Sequence, residues 1–171
     1  MLRRTKTYIA ADWDSDFDAV QRLHQWNESN YWSLSFHDAH KTKQARDTSL
    51  CCSIKKSLRD RINVSNRFVL IVGDKTTLVT KGSCQHCSSY FSPFKYCTRD
   101  HSVDFRSYIS YECEMAVRDR LSIVVLYKST RVNKEKCPPI LRNLGTHVPM
   151  YYWKPDGTRD WDYVSVRDAF D

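Results

Sequence analysis

Two acids on one short stretch, Glu112 and Glu114 in Tyr108-Ile-Ser-Tyr-Glu-Cys-Glu-Met-Ala116, are the first candidates for chemistry. The stretch runs into the apolar segment Ser122 to Tyr127, which sets acids and aromatics beside the sheet edge where α/β domains bind ligands. Ile109, Cys113 and Ala116 follow the i, i+4, i+7 spacing of a buried helix face, and Met115 lies close to it. Tyr108 and Glu112, four residues apart, share a neighbouring face. A ring and an acid side by side suit a flat, cationic substrate group. Glu114, two positions further on, is turned by about 200°, so the two acids cannot face the same pocket.

A second group of reactive types is Cys84-x2-Cys87-x9-Cys97-x3-His101. Three thiolates and an imidazole at these spacings are compatible with a tetrahedral structural zinc site, with His86 as an alternative ligand. The same residues fit a flexible insertion carrying reduced thiols. Cys51, Cys52 and Cys113 fall on predicted helices and read as core. His37 and His40 are too exposed by context to argue for a metal.

The whole composition limits what these groups can belong to. A chain of 171 residues, 41% hydrophobic and 13% aromatic, is expected to fold as a single domain over 1–171 with its own core. The seven cysteines are an odd number, and with no export signal in view they read as free thiols or metal ligands, not a disulfide framework. The basic start Met1-Leu-Arg-Arg-Thr-Lys6 leads into too short an apolar run for a secretory signal. No apolar run approaches the ~20 residues of a membrane helix, so the expected location is the cytoplasm, with no membrane partner. The net charge of +7 favours acidic or phosphate-bearing partners. Its basic residues are scattered, as at Lys41-Thr-Lys43, Lys55-Lys56 and Arg118 to Arg120, which reads as solvated surface more than as a nucleic-acid footprint.

The elements that must position these groups follow from the apolar spacing. Thr7 to Ala11 is a predicted buried strand, broken at Asp12-Trp13-Asp14-Ser15-Asp16, whose short acids mark a turn and offer an N-cap. A helix over Asp16 to Asn27 presents Phe17, Val20, Leu23 and His24 on one face, and a second strand is predicted near Trp32 to Phe36. His37 to Arg46 reads as a loop, and Asp47-Thr48-Ser49 caps a helix from about Leu50 to Ile62 with Ile54, Leu58 and Ile62 as its stripe. Phe68-Val-Leu-Ile-Val72, bounded by Gly73, is the clearest strand. From Asp74 to Asp104 the pattern lapses into a polar, Cys-rich insertion that is long for a structureless loop. The Tyr108 helix and the Ile123 to Leu126 strand follow, and an extension from about 130 holds a last strand at Val148 to Trp153 and a closing helix at Trp161 to Phe170. Alternating strands and helices in this order predict a doubly wound, mainly parallel sheet with helices on both faces.

With the elements in place, the chain resembles the TIR-like family, of flavodoxin-like fold, and within it the TIR-like subunits of the bacterial Thoeris anti-phage system. The residues that carry the resemblance are Lys6-Thr-Tyr-Ile-Ala-Ala-Asp-Trp-Asp-Ser-Asp16, the helix and strand Ile54 to Val72, and the segment Tyr108 to Tyr127, with Tyr108, Tyr111, Glu112 and Ala116 in its aromatic-rich helix. It runs from about residue 5 to 128. Ala10-Ala11 stand where the family has an aromatic at the end of the first strand, and Tyr108 stands where relatives often have Trp.

The resemblance implies an NAD-consuming enzyme that cleaves the nicotinamide–ribose bond, its ADP-ribose product released, cyclised or conjugated as a messenger for a partner effector. It makes Glu112 the catalytic acid, with an exposed structural helix acid as the alternative reading. Ala11, Asp12, Trp13, Asp38, Tyr108 and Tyr111 become substrate-binding candidates. Asp12 and Trp13 are equally readable as capping and rim packing, and Asp38 as a turn residue. Self-association and a phage-derived trigger are the implied controls. A non-catalytic assembly module of the same fold and a nucleic-acid-binding protein are the other classes the sequence admits.

Overall fold

The computed structural model describes residues 6–32, 34–39 and 50–171. In chain order its elements are strand β1 (Lys6–Ala10), helices α1 (Phe17–Glu28) and α2 (Cys51–Asn63), and strand β2 (Ser65–Val72). The short strands β3 (Tyr90–Phe91) and β4 (Tyr96–Cys97), helix α3 (Tyr108–Arg118) and strand β5 (Ser122–Tyr127) come next. Strands β6 (Thr146–Pro149), β7 (Tyr151–Trp153) and β8 (Arg159–Trp161) and helix α4 (Tyr163–Phe170) complete the set. The main sheet has the order β1-β2-β5-β6 and is parallel throughout.

Alternation along the strands divides the interior into two cores. Tyr8 and Ala10 of β1, Phe68, Leu70 and Val72 of β2, and Val125 and Tyr127 of β5 face α2 and α3. Ile9, Val69, Ile71, Val124 and Leu126 face α1 and α4. Strands buried on both sides explain why β2 reads as an unbroken apolar run instead of an alternating one. Each Val, Leu, Ile or Phe among them taken out of water contributes about 1.5–3 kcal/mol. The fold is therefore the α/β, flavodoxin-like arrangement with helices on both faces that the sequence predicts.

Among the described residues of the predicted strand Trp32 to Phe36 no strand forms. Asn27, in the last turn of α1, receives a bond from the Phe36 N–H at 2.8 Å and donates to the Phe36 carbonyl at 2.9 Å, which takes up the backbone groups a ladder would use. Pairing with β1 shrinks to one parallel bridge, Thr7 with Asp38, through Thr7 N–H to His37 O at 2.8 Å and Ala39 N–H to Thr7 O at 3.0 Å. This bridge occupies the edge of β1 away from β2. The winding order thus switches sides at β1, the segment after α1 pairing on one edge and β2 on the other, which is the place where such sheets open a crevice at their carboxyl edge.

The predicted strand Val148 to Trp153 is two strands. Pro149, with no N–H to give, ends the parallel pairing of β6 with β5, and β7 turns away to pair antiparallel with β8. The predicted cap Asp47-Thr48-Ser49, His40 and the greater part of the 37–46 loop lie outside the described residues. Among the described residues no helix is long and apolar enough to cross a membrane.

Order in the Cys-rich insertion comes from short local closures. Helical turns form at Cys84–His86 and Ser92–Phe94, and β3 and β4 form a two-stranded hairpin. Both ends are tied to neighbours: Cys84 N–H donates to Asp104 O at 2.9 Å, and Tyr108 N–H to Lys81 O at 2.8 Å. From α2 the buried Lys55 ammonium donates to Arg106 O at 2.7 Å and sits 3.2 Å from the Asp104 carboxylate.

Candidate active site

Helix α3 starts at Ser107, whose hydroxyl caps it by accepting the Ser110 N–H at 3.1 Å. Ile109, Cys113, Met115 and Ala116 form the expected buried face, and Glu112 joins them. Expected on the helix surface, Glu112 is instead only 5% exposed and accepts a hydrogen bond from the hydroxyl of Tyr8, itself fully buried on β1. A carboxyl can be taken inside because the tyrosine supplies a partner at the end of an apolar ring. Burial raises Glu112 to about 8, against the lowering pull of the Tyr8 hydrogen bond and of Arg61. Tyr8 is the residue that sequence reasoning missed. Its signal was present in the β1 alternation, which turns Tyr8 toward the helices, but its partner lies 104 positions away.

Glu114 points elsewhere, as the helical rotation requires. It is paired with Arg106 at 2.6 Å and borders an open cleft of about 500 Å³ shared with Val79, Ser83, Arg106, Ser107 and Ser110. Tyr111 lies beneath two cations, with the Arg106 guanidinium 5.0 Å and the Lys55 ammonium 5.7 Å from its ring. Tyr108 is half-buried, its ring lying where a side chain on Gly82 would otherwise stand.

The carboxyl end of β1 carries Ala11 and Asp12, both buried, and Trp13, 40% exposed and 5.8 Å from the Phe17 ring. Asp12 closes its own turn: it accepts from the Ser15 hydroxyl, from Asp14 N–H at 3.3 Å and, through its carbonyl, from Asp16 N–H at 2.8 Å. Asp16 occupies the N-cap position of α1 without capping it. Its buried carboxylate lies instead where a side chain on Gly73 would stand, 3.6 Å from the Lys128 ammonium. Burial raises the Asp16 carboxyl and Lys128 opposes the rise. Lys128 also meets Asp18 at 2.6 Å and donates to Ser15 O at 2.9 Å. Asp16, Gly73 and Lys128 join the ends of three elements, and no local spacing marks them as a set.

Asp12, Trp13 and Tyr108 thus occur at the same edge of the sheet, linked through Lys81, whose carbonyl holds Tyr108 N–H and whose ammonium is 3.9 Å from Asp14. Glu112 is one turn deeper. Asp38 is not with them: it is buried opposite Thr7, at the amino end of β1, and is paired with His24 Nε2 at 3.0 Å.

The four zinc candidates Cys84, Cys87, Cys97 and His101 line one small cavity, and α2 adds Cys51 and Cys52 to its wall. Cys51 is buried as expected, whereas Cys52 is half-buried and meets His101 Nδ1 at 2.8 Å. His86, the alternative ligand, is 3.2 Å from the exposed Gln85 amide. Among the described residues, no group of three or more His, Cys, Asp or Glu side chains is already arranged to hold a metal ion.

The family model described as Thoeris protein ThsB, TIR-like domain, matches residues 8–80. A search of curated proteins finds no match. The matched span contains Ala11, Asp12, Trp13 and Asp38 and stops short of Tyr108, Tyr111 and Glu112. With β1, α1, α2 and β2 inside or at the edge of that span and the same parallel sheet continuing beyond it, residues 8–80 are similar to the TIR-like domain of Thoeris ThsB proteins, in an α/β sheet of the same kind.

Proposed function

We propose that this domain acts in anti-phage defence by consuming NAD: it cleaves the nicotinamide–ribose bond and passes an ADP-ribose-derived product, cyclic or conjugated, to a partner effector. The observation that carries the reading is an acid on α3, Glu112, behind the carboxyl edge of a sheet whose first two strands lie in the span similar to the ThsB TIR-like domain. Nicotinamide leaves readily because it is cationic while attached, and its departure puts oxocarbenium character on the ribose. A carboxylate close by stabilises that charge. With burial holding it at about 8, Glu112 is mostly protonated at neutral pH while the site is closed. Opening that admits the cationic ring favours the carboxylate. Slow basal turnover follows, with self-association or a phage-derived trigger as the opening step.

The burial of Glu112 also favours a second reading, a TIR-like module that signals by assembly without chemistry. Incubation of the purified protein with NAD, followed by mass spectrometry of the small molecules, separates the two. The enzyme reading expects slow loss of NAD with a cyclic or conjugated product, abolished in Glu112→Gln and kept in Glu114→Gln. Free ADP-ribose alone would refute the messenger role. Dependence on Glu114 would move the acid to the open cleft, and no consumption under any trigger would leave assembly.

A further inference from the structure

Local backbone closures bring the insertion's thiols together. Cys87 N–H closes on the Cys84 carbonyl at 2.9 Å, a tight bend between two thiols three positions apart. Tyr90 N–H then bonds to Cys87 O at 3.0 Å and Tyr90 pairs with Cys97 across the hairpin, which returns Cys97 to the neighbourhood of Cys87. From the opposite side α2 contributes Cys51. Its Sγ is 3.5 Å from Cys84 Sγ, and Cys87 lines the same cavity. The Asp104 N–H points at Cys84 Sγ from 3.3 Å, the kind of outer donor that steadies a metal-bound thiolate. The cavity they share has a volume of about 10 Å³, room for a single small occupant.

We propose that Cys51, Cys84, Cys87 and Cys97 bind one zinc ion that staples the inserted segment to α2. Zinc–thiolate bonds of ~2.3 Å in a tetrahedron set sulfurs about 3.8 Å apart, and the 3.5 Å between Cys51 and Cys84 is close to that edge. Binding draws the half-buried Cys87 and Cys97 inward to complete a set not yet in coordinating geometry. Four thiol protons are released as the ion is bound, and the site keeps a net double negative charge. Lys55, one turn along α2 from Cys51 and buried on the same face, is a neighbouring cation. His101 is left outside the set because it is exposed and engaged by Cys52.

The test is the zinc content of the full chain purified with reductant and without added metal, read by elemental mass spectrometry. About one equivalent is expected, falling at least roughly tenfold in Cys51→Ser, Cys84→Ser, Cys87→Ser and Cys97→Ser and staying intact in Cys52→Ser and His101→Ala. Unchanged protein stripped of zinc and given cobalt(II) keeps the test independent of how the variants fold: it is expected to show thiolate-to-cobalt charge transfer and the strong visible bands of a tetrahedral site. Metal-free protein that takes up no cobalt would overturn the proposal. So would zinc retained without Cys51, or zinc lost with His101 and kept without Cys97.

Discussion

At the scale of single residues, the decisive feature is an acid that lies inside. Glu112 has its ordinary value of 4.5 in the unfolded chain and about 8 in the fold, raised chiefly by burial. Between those values the folded protein holds a proton that the unfolded chain has lost, so stability declines as pH rises through that window. Gln accepts the same bond from Tyr8 without titrating. Glu112→Gln is expected to remove the decline and to exceed the parent in stability above pH 8 by on the order of a few kcal/mol. Urea unfolding at a series of pH values checks this, and parallel curves for the two proteins would show that the carboxyl is hydrated in the fold. Such a gain in stability alongside lost turnover is the behaviour of a group kept for chemistry at a cost to the fold.

At the scale of elements, α3 depends on the segment that precedes it. Gly82 has a φ of +97°, and a Cβ there would stand 2.5 Å from the Tyr108 ring. Gly82→Ala therefore combines backbone strain with a displaced ring at the first turn of α3, and is expected to cost about 2–3 kcal/mol. Gly157, with a φ of +80° and open space around it, isolates the backbone part, and Gly157→Ala should cost only about 1 kcal/mol. Equal shifts in their urea midpoints would mean that Tyr108 moves aside freely. The junction between α2 and α3 has its own tie, a pair of Arg59–Asp119 contacts at 2.8 and 3.1 Å, so displacement at Gly82 should stay at the amino end of the helix.

For the molecule as a whole, stability should be graded outward from the centre of the sheet. β2 and β5 are paired on both sides and buried on both faces, so their amides can exchange only when the whole sheet opens. The β7–β8 hairpin has three paired positions and exposed side chains at Tyr152 and Trp153. Hydrogen exchange read by mass spectrometry is expected to be slowest in peptides from Phe68–Val72 and Ile123–Leu126, and faster by orders of magnitude in 151–161. Equal protection in both regions would show that the hairpin opens only with the sheet.

The fold class and the course of most elements are legible in the linear pattern of side chains. The apolar run of β2, the alternation of β1 and the spacing on α2 and α3 are local patterns, set by which side chains a strand or helix must bury. A strand that failed, at Trp32 to Phe36, was lost to a side chain nine positions away, Asn27, whose amide took the Phe36 backbone. The type and helical position of Glu112 were legible; its burial was not, because the partner that permits it comes from β1. Likewise the spacing of Cys84, Cys87 and Cys97 marked a candidate metal site, while Cys51 was added to their cavity only when α2 packed against the insertion. These points depend on packing, because a buried polar or sulfur group takes its partners from whatever the fold brings near it, and sequence spacing does not encode that distance.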